Sequence, residues 1–145
     1  IMKEFQPGVE TPYEAVESFG NIRYIDNQTV RFNGLRIYGL PFVPSNEPYV
    51  RKFSRIPLFR ERFESLRNVK IPGKPDVILS HSPPLGILDH SSVVGYTGSI
   101  EVLRVLKEKQ PRYLFCGHLH EAKGMKQVGR TTVVNLGRTY ELFDL

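Results

Sequence analysis

Three of the four histidines in this chain directly follow short apolar runs. His81 stands two residues after Leu79, in Leu79-Ser80-His81-Ser82-Pro83-Pro84. His118 and His120 come straight after Cys116, in Cys116-Gly117-His118-Leu119-His120-Glu121. Neutral imidazole binds zinc, iron, nickel and copper, and serves beside oxygen ligands for manganese. In an extended segment residues i and i+2 point the same way, so His118 and His120 can face one site while Leu119 packs behind. Gly117 leaves the backbone bare where a ligand would approach. Pro83-Pro84 stiffens the segment after His81. A single histidine at a strand end is more often a hydrogen-bonded surface or core residue than a ligand. His90 has no partner pattern and is read that way. The metal reading rests on the combination of His81 with His118-x-His120. Glu121 can orient a ligand histidine as a hydrogen-bond acceptor, or be plain surface charge. Cys116 reads as a small buried hydrophobe.

The elements that must position these residues are legible in outline. Thr11-Pro12-Tyr13-Glu14 forms a helix start, with Gly20 as the stop, which predicts a helix near 12–19. Asn33-Gly34 between Thr29–Phe32 and Leu35–Tyr38 predicts a hairpin, because both turn positions need positive φ. The prolines Pro41, Pro44 and Pro48 mark a loop. Leu58, Phe59, Phe63 and Leu66 share a helical face. Val77-Ile78-Leu79 is a short unbroken apolar run, read as a fully buried strand. Ser99 to Gln110 is the clearest helix: Ile100, Leu103 and Leu106 share a face, Glu101 lies in the first turn, Lys107 and Lys109 in the last, and Pro111 follows. Tyr113–Cys116 is another buried strand, and Thr131–Asn135 and Tyr140–Phe143 are expected closing strands. The alternation of strands and helices predicts a layered α/β arrangement without repeats or a domain break. Two parallel strands side by side would bring His81 and the His118–His120 pair together at their carboxyl ends, where ligands gather in open α/β sheets.

Composition narrows the function classes. The 145 residues suit one domain with a real core. A hydrophobic share of 40% against 24% charged excludes a disordered or collagen-like chain. No apolar run approaches the roughly 20 residues of a spanning helix. The single cysteine cannot form an internal disulfide, and a cytoplasmic location is the default reading. The net charge of +5 is unevenly placed. Between Arg51 and Lys74, eight basic residues face only Glu61 and Glu64, so that window carries +6. It is read first as a solvated helix face, and second as a cationic field for phosphates.

These motifs together resemble the calcineurin-like metallophosphoesterase family. Its late motifs are a strand ending in histidine before a small residue and prolines, then a strand ending in Gly-His-x-His. Here they stand as Leu79-Ser80-His81-Ser82-Pro83-Pro84 and Gly117-His118-Leu119-His120. Asn33-Gly34-Leu35-Arg36-Ile37-Tyr38-Gly39-Leu40-Pro41, Pro84-Leu85-Gly86-Ile87-Leu88-Asp89 and Val134-Asn135-Leu136-Gly137 add to the likeness. The hairpin segment and the Gly86-Ile87-Leu88-Asp89 stretch look most like the branch of vertebrate metallophosphoesterase-domain proteins, some of which act on cyclic nucleotides. The resemblance implies an α/β/β/α sandwich, of which residues 1–145 would be the C-terminal half. It implies a centre of two divalent metal ions (manganese, iron or zinc), with His81 and His118 on one and His120 on the other. It implies a phosphomonoester or phosphodiester as substrate.

The family's earlier elements are not found in this sequence: an Asp-x-His, a Gly-Asp with a bridging carboxylate, and an Asn-His. Asp26, Asp76, Asp89 and Asp144 lack that context, and Asp26-Asn27 reads as a turn. A bridging carboxylate offsets cation–cation repulsion, so residues 1–145 alone are expected to show little hydrolysis without a complementing N-terminal segment. Two other functions compete. One is a non-catalytic scaffold on the same fold. The other is a nuclease-type member holding nucleic acid on the Arg51–Lys74 window, less favoured because no aromatic platform interleaves with those charges.

Overall fold

The computed structural model describes residues 20–40, 69–93 and 95–145. The helices expected over 12–19 and 58–66, the proline loop over 41–48 and most of the basic window lie outside the described residues.

Among the described residues six strands form one mixed sheet. In chain order they are β1 (Gln28–Phe32), β2 (Leu35–Gly39), β3 (Val77–Leu79), β6 (Tyr113–Cys116), β7 (Gly124–Val128) and β8 (Thr131–Asn135). Between β3 and β6 lie a two-stranded ladder, β4 (His90–Ser91) with β5 (Gly95–Tyr96), and the helix α1 (Ile100–Lys109). The spatial order is β1-β2-β3-β6-β8-β7. β2, β3, β6 and β8 run parallel, while β1 and β7 are antiparallel edges. β1 and β2 meet through Asn33 (φ 47°) and Gly34 (φ 81°), the two positive φ values that the Asn-Gly hairpin demands.

α1 forms where its caps predict. Ser99 Oγ accepts from the Val102 N–H at 3.3 Å, and Gln110 closes the helix in the left-handed region. Its buried stripe is Val102, Val105 and Leu106, with Leu103 packed partly behind. Ile100, expected on that face, is 57% exposed, because the i, i+3, i+4 stripe facing the sheet begins at Val102. Tyr38, Ile78, Leu114 and Val133 occupy one level across β2, β3, β6 and β8 and pack with this stripe. Burial of each such aliphatic side chain is worth roughly 1.5–3 kcal/mol. The half-buried Glu101–Arg104 pair and the more exposed Arg104–Glu108 pair add little beside that.

The other sheet face is less covered. Leu79, expected to be fully buried, is 37% exposed there. Tyr113 and Phe115 stack with ring centroids 5.6 Å apart, and Phe143 sits edge-on to both. The closing strand expected over Tyr140–Phe143 is absent: that segment forms no ladder. The edge of β8 is already taken by β7, so Phe143 packs on the sheet face while Tyr140 and Leu142 stay exposed. The described residues thus supply one helix layer and one sheet layer of a mixed α/β fold.

Candidate metal centre

β3 and β6 are direct parallel neighbours, and the expected juxtaposition follows from their carboxyl ends. Ser80 N donates to Phe115 O at 2.9 Å, and Gly117 N donates to His81 O at 3.1 Å. These two bonds extend the ladder past both strands and set His81 beside the Gly117 segment. Beyond His81, Ser80 Oγ donates to Ser82 O at 2.8 Å, and Ser99 N, at the start of α1, donates to Pro83 O at 2.8 Å. The segment is therefore pinned on both sides. His81 Nε2 lies 3.0 Å from His118 Nδ1, with ring centroids 4.8 Å apart.

The His118 backbone departs from expectation. Instead of an extended Gly-His-x-His run, His118 takes φ 64°, and Leu119 N donates to Gly117 O at 2.7 Å across it. This is a three-residue turn with positive φ, a strained conformation for a residue with a side chain. It aims His118 at His81 and hands His120 to a short 3-10 turn, His120–Ala122. The two imidazoles consequently do not share the i, i+2 direction of a strand. A Cβ placed on Gly117 would meet no atom within 4 Å, so the space beside it is open.

His120 has a different neighbour. Arg138 Nε donates to its Nδ1 at 2.8 Å. An Nδ1 that accepts leaves the ring proton of the neutral imidazole on Nε2. Arg138 is placed there by Asn135, the last residue of β8 and only 1% exposed. Asn135 Nδ2 donates to Leu88 O (3.0 Å) and Leu119 O (3.1 Å), and its Oδ1 accepts from Gly137 N (3.0 Å). One buried amide thus ties the Leu88 loop, the His118–His120 loop and the turn carrying Arg138. Gly137 has φ 60°, and a Cβ there would lie 3.0 Å from His120 O, so the turn sits directly against His120. Sequence reasoning passed over Arg138 and gave Asn135 no partner. The Asn-Leu-Gly after an apolar strand was the available signal.

Electrostatics agree with this arrangement. Burial, then the neighbouring His81 and His120, holds the His118 imidazole below the ordinary histidine value. Glu121 does not contact these rings by hydrogen bond. Its carboxylate accepts from Ser92 N (3.0 Å) and Ser92 Oγ (2.8 Å), and the hydroxyls of Ser91 and Ser92 hold it below the usual carboxylate value. In this structure its carboxylate is hydrogen-bonded to the Ser91–Ser92 loop and not to a histidine ring. His90 stands edge-on to Tyr96 within the β4–β5 ladder. Asp89 is buried and accepts from Gly86 N and Gly98 N, a structural task. Cys116 is buried, and burial pushes its thiol up to about 12.

The donor spacing can be tested against a metal ion. Two imidazole nitrogens about 2.0–2.1 Å from one ion lie roughly 2.9–3.4 Å apart for angles from right to tetrahedral. The 3.0 Å between His81 Nε2 and His118 Nδ1 fits that separation. Among the described residues no group of three or more His, Cys, Asp or Glu side chains gathers to hold an ion. The pair has the spacing of two ligands of one ion, and His120 is hydrogen-bonded to Arg138 instead of joining it.

Known proteins match this chain in the same terms. A crystal structure that it resembles superposes with TM-score 0.58 at 25% identity, over 86% of this chain and 49% of that one. Metallophosphoesterase domain-containing protein 1 of Homo sapiens is 33% identical over 126 residues, 85% of this chain and 37% of that protein. A UPF0046 protein of Caenorhabditis elegans is 31% identical over 117 residues, 79% and 37% of the two chains. A lariat debranching enzyme of Drosophila pseudoobscura pseudoobscura is 28% identical over 126 residues, 69% of this chain and 24% of that one. The chain spans about a third of the length of the first of these curated relatives. The model of the family described as metallophosphoesterase, calcineurin superfamily, matches residues 10–141. The paired histidines at the ends of β3 and β6 therefore sit in a chain that belongs to the calcineurin superfamily of metallophosphoesterases.

Proposed function

We propose that this protein is a metal-dependent phosphoesterase that hydrolyses phosphomonoesters or phosphodiesters, cyclic nucleotides included. The observation that carries the reading is the 3.0 Å approach of His81 Nε2 to His118 Nδ1 at the ends of adjacent parallel strands. In this reading His81 and His118 hold one divalent ion, manganese, iron or zinc, and His120 holds a second once its Nδ1 is released from Arg138. Such ions supply a charge clamp on the phosphoryl oxygens and a water of lowered pKa. The chain's own contribution is placement. The His81–Gly117 and Ser99–Pro83 backbone bonds fix the two ring positions before substrate arrives. Arg138 places a permanent cation at 2.8 Å from the His120 ring, with further guanidinium donors able to pair a phosphate oxygen. The phosphate ester is the partner that this positive, donor-rich end of the sheet favours. A cytoplasmic setting belongs to the same proposal.

Residues 1–145 lack Asp-x-His, Gly-Asp and Asn-His elements. We expect this segment alone to turn over esters poorly and to need carboxylates from a complementing N-terminal segment. The test is hydrolysis of p-nitrophenyl phosphate and bis(p-nitrophenyl) phosphate with manganese, comparing the whole native protein with its His118→Ala variant. The expected result is a loss of at least about a hundredfold in kcat/KM. Equal turnover by the two proteins contradicts the assignment.

A further inference from the structure

The opposite end of the same sheet carries a second cluster of charge. Arg36 lies near the start of β2, Asp76 immediately before β3, Arg112 immediately before β6 and Arg130 immediately before β8. The pairings Ile37↔Val77, Val77↔Tyr113 and Tyr113↔Thr132 put Arg36, Asp76, Arg112 and Thr131 on one level across four adjacent strands. Backbone bonds lock that level: Asp76 N to Arg36 O at 2.8 Å, Tyr113 N to Asp76 O at 3.1 Å, and Thr132 N to Arg112 O at 3.0 Å. Strand spacing spreads these side chains along a row of roughly 10–15 Å. With Lys74 from the preceding loop they line an open cleft of about 370 Å³.

Four cations on this wall face one carboxylate. Asp76 is already engaged: its Oδ2 accepts from Arg36 N at 2.8 Å and lies 3.5 Å from Arg36 Nε. Among the described residues, Lys74, Arg112 and Arg130 have no carboxylate within 4.0 Å. The Arg112 guanidinium lies over the Tyr113 ring, 5.4 Å from its centroid, which supports the group from below. Like charges held together on rigid strand ends repel one another. A polyvalent anion relieves that repulsion at several points at once.

We propose that this cleft binds a polyphosphate chain, inorganic or the tail of a nucleoside polyphosphate. Guanidinium groups recognise successive phosphate oxygens through charge-assisted hydrogen bonds, and a row of cations matches a row of phosphates. The volume falls in the range of small-ligand pockets, which favours a compact anion over a nucleic acid. This site lies at the amino ends of the parallel strands and the histidines at their carboxyl ends, so the two are independent.

The experiment is calorimetric titration of the whole protein with inorganic triphosphate and with adenosine triphosphate, in EDTA at low salt. Saturable binding is expected, weakened about tenfold in the R112Q/R130Q variant and unchanged in H118A. Equal affinity for the two probes assigns recognition to the phosphate chain, and tighter binding of the nucleotide adds a contact to its base or sugar. Both residues are exposed, so the variant should fold. Should it fail to, K74Q takes its place, with an expected weakening of about threefold. No saturable binding, unchanged affinity in the neutralised variant, loss of binding in H118A, or binding of oligonucleotides alone overturns the proposal.

Discussion

His81 and His118 stand 37 positions apart in sequence, yet their Nε2 and Nδ1 atoms lie 3.0 Å apart. Two features close that distance. β3 and β6 pair directly in parallel, and His118 bends through a positive-φ turn toward its neighbour. Without an ion between them, one ring must donate and the other accept. A second proton on His118 would set donor against donor, and burial together with the neighbouring histidines lowers its affinity for one.

Asn135 is the structural tie behind this pair, and its replacement should be costly. Asn135→Ala leaves the Leu88 carbonyl and the Gly137 N–H without this partner, and leaves the Leu119 carbonyl only the Ala122 N–H at 3.2 Å. The expected loss is roughly 2–4 kcal/mol, read from urea unfolding. Asn135→Asp should cost at least as much, because a carboxylate cannot donate to the two carbonyls. A change below about 0.5 kcal/mol in both variants would show that the amide does not tie the loops.

Arg138→Ala should act on a ring rather than on stability. The pair with His120 is exposed, so unfolding free energy should move by less than about 0.5 kcal/mol. In the metal-free wild type, His120 Nδ1 should show the ¹⁵N chemical shift of an accepting ring nitrogen. In the variant that shift should move toward a mixture of tautomers. Identical spectra would mean that the guanidinium does not set the tautomer.

Cys116 should be chemically silent in the folded protein. Its buried thiol donates to Val134 O at 3.4 Å, and burial raises it from 9.0 to about 12. Thiol reagents at pH 8 should label it only after unfolding. The folded state keeps this proton longer than the unfolded one, so its contribution is full below pH 9 and is lost as pH rises toward 12. The window is worth up to about 4 kcal/mol. Stability between pH 9 and 11 should therefore fall more steeply in the wild type than in Cys116→Ala. Equal slopes would contradict the burial effect.

Local rules made parts of this fold readable. Asn33-Gly34, the Ser99 cap and the apolar runs at 77–79 and 113–116 each carry their own signal, and each element formed where expected, though Leu79 is exposed and Tyr113 and Phe115 are only half-buried. The meeting of His81 with His118 followed from two strand ends being neighbours. Features that depend on tertiary partners were not readable. β7 is an edge strand whose Met125, Lys126 and Gln127 are all exposed, so it shows no apolar alternation. The Tyr140–Phe143 alternation suggested a ladder, but only a sheet face remained for Phe143. The turn at His118 puts its positive φ on the histidine and not on the neighbouring Gly117, so no residue type announces it, and Arg138 gains meaning only through the Asn135 bonds that place it.

The most direct measurement is the anomalous difference map of crystals of the whole protein grown with manganese. The account predicts a peak about 2.0–2.3 Å from both His81 Nε2 and His118 Nδ1, absent from crystals of His118→Ala. A peak that contacts neither ring, or a centre that survives unchanged in the variant, would contradict it.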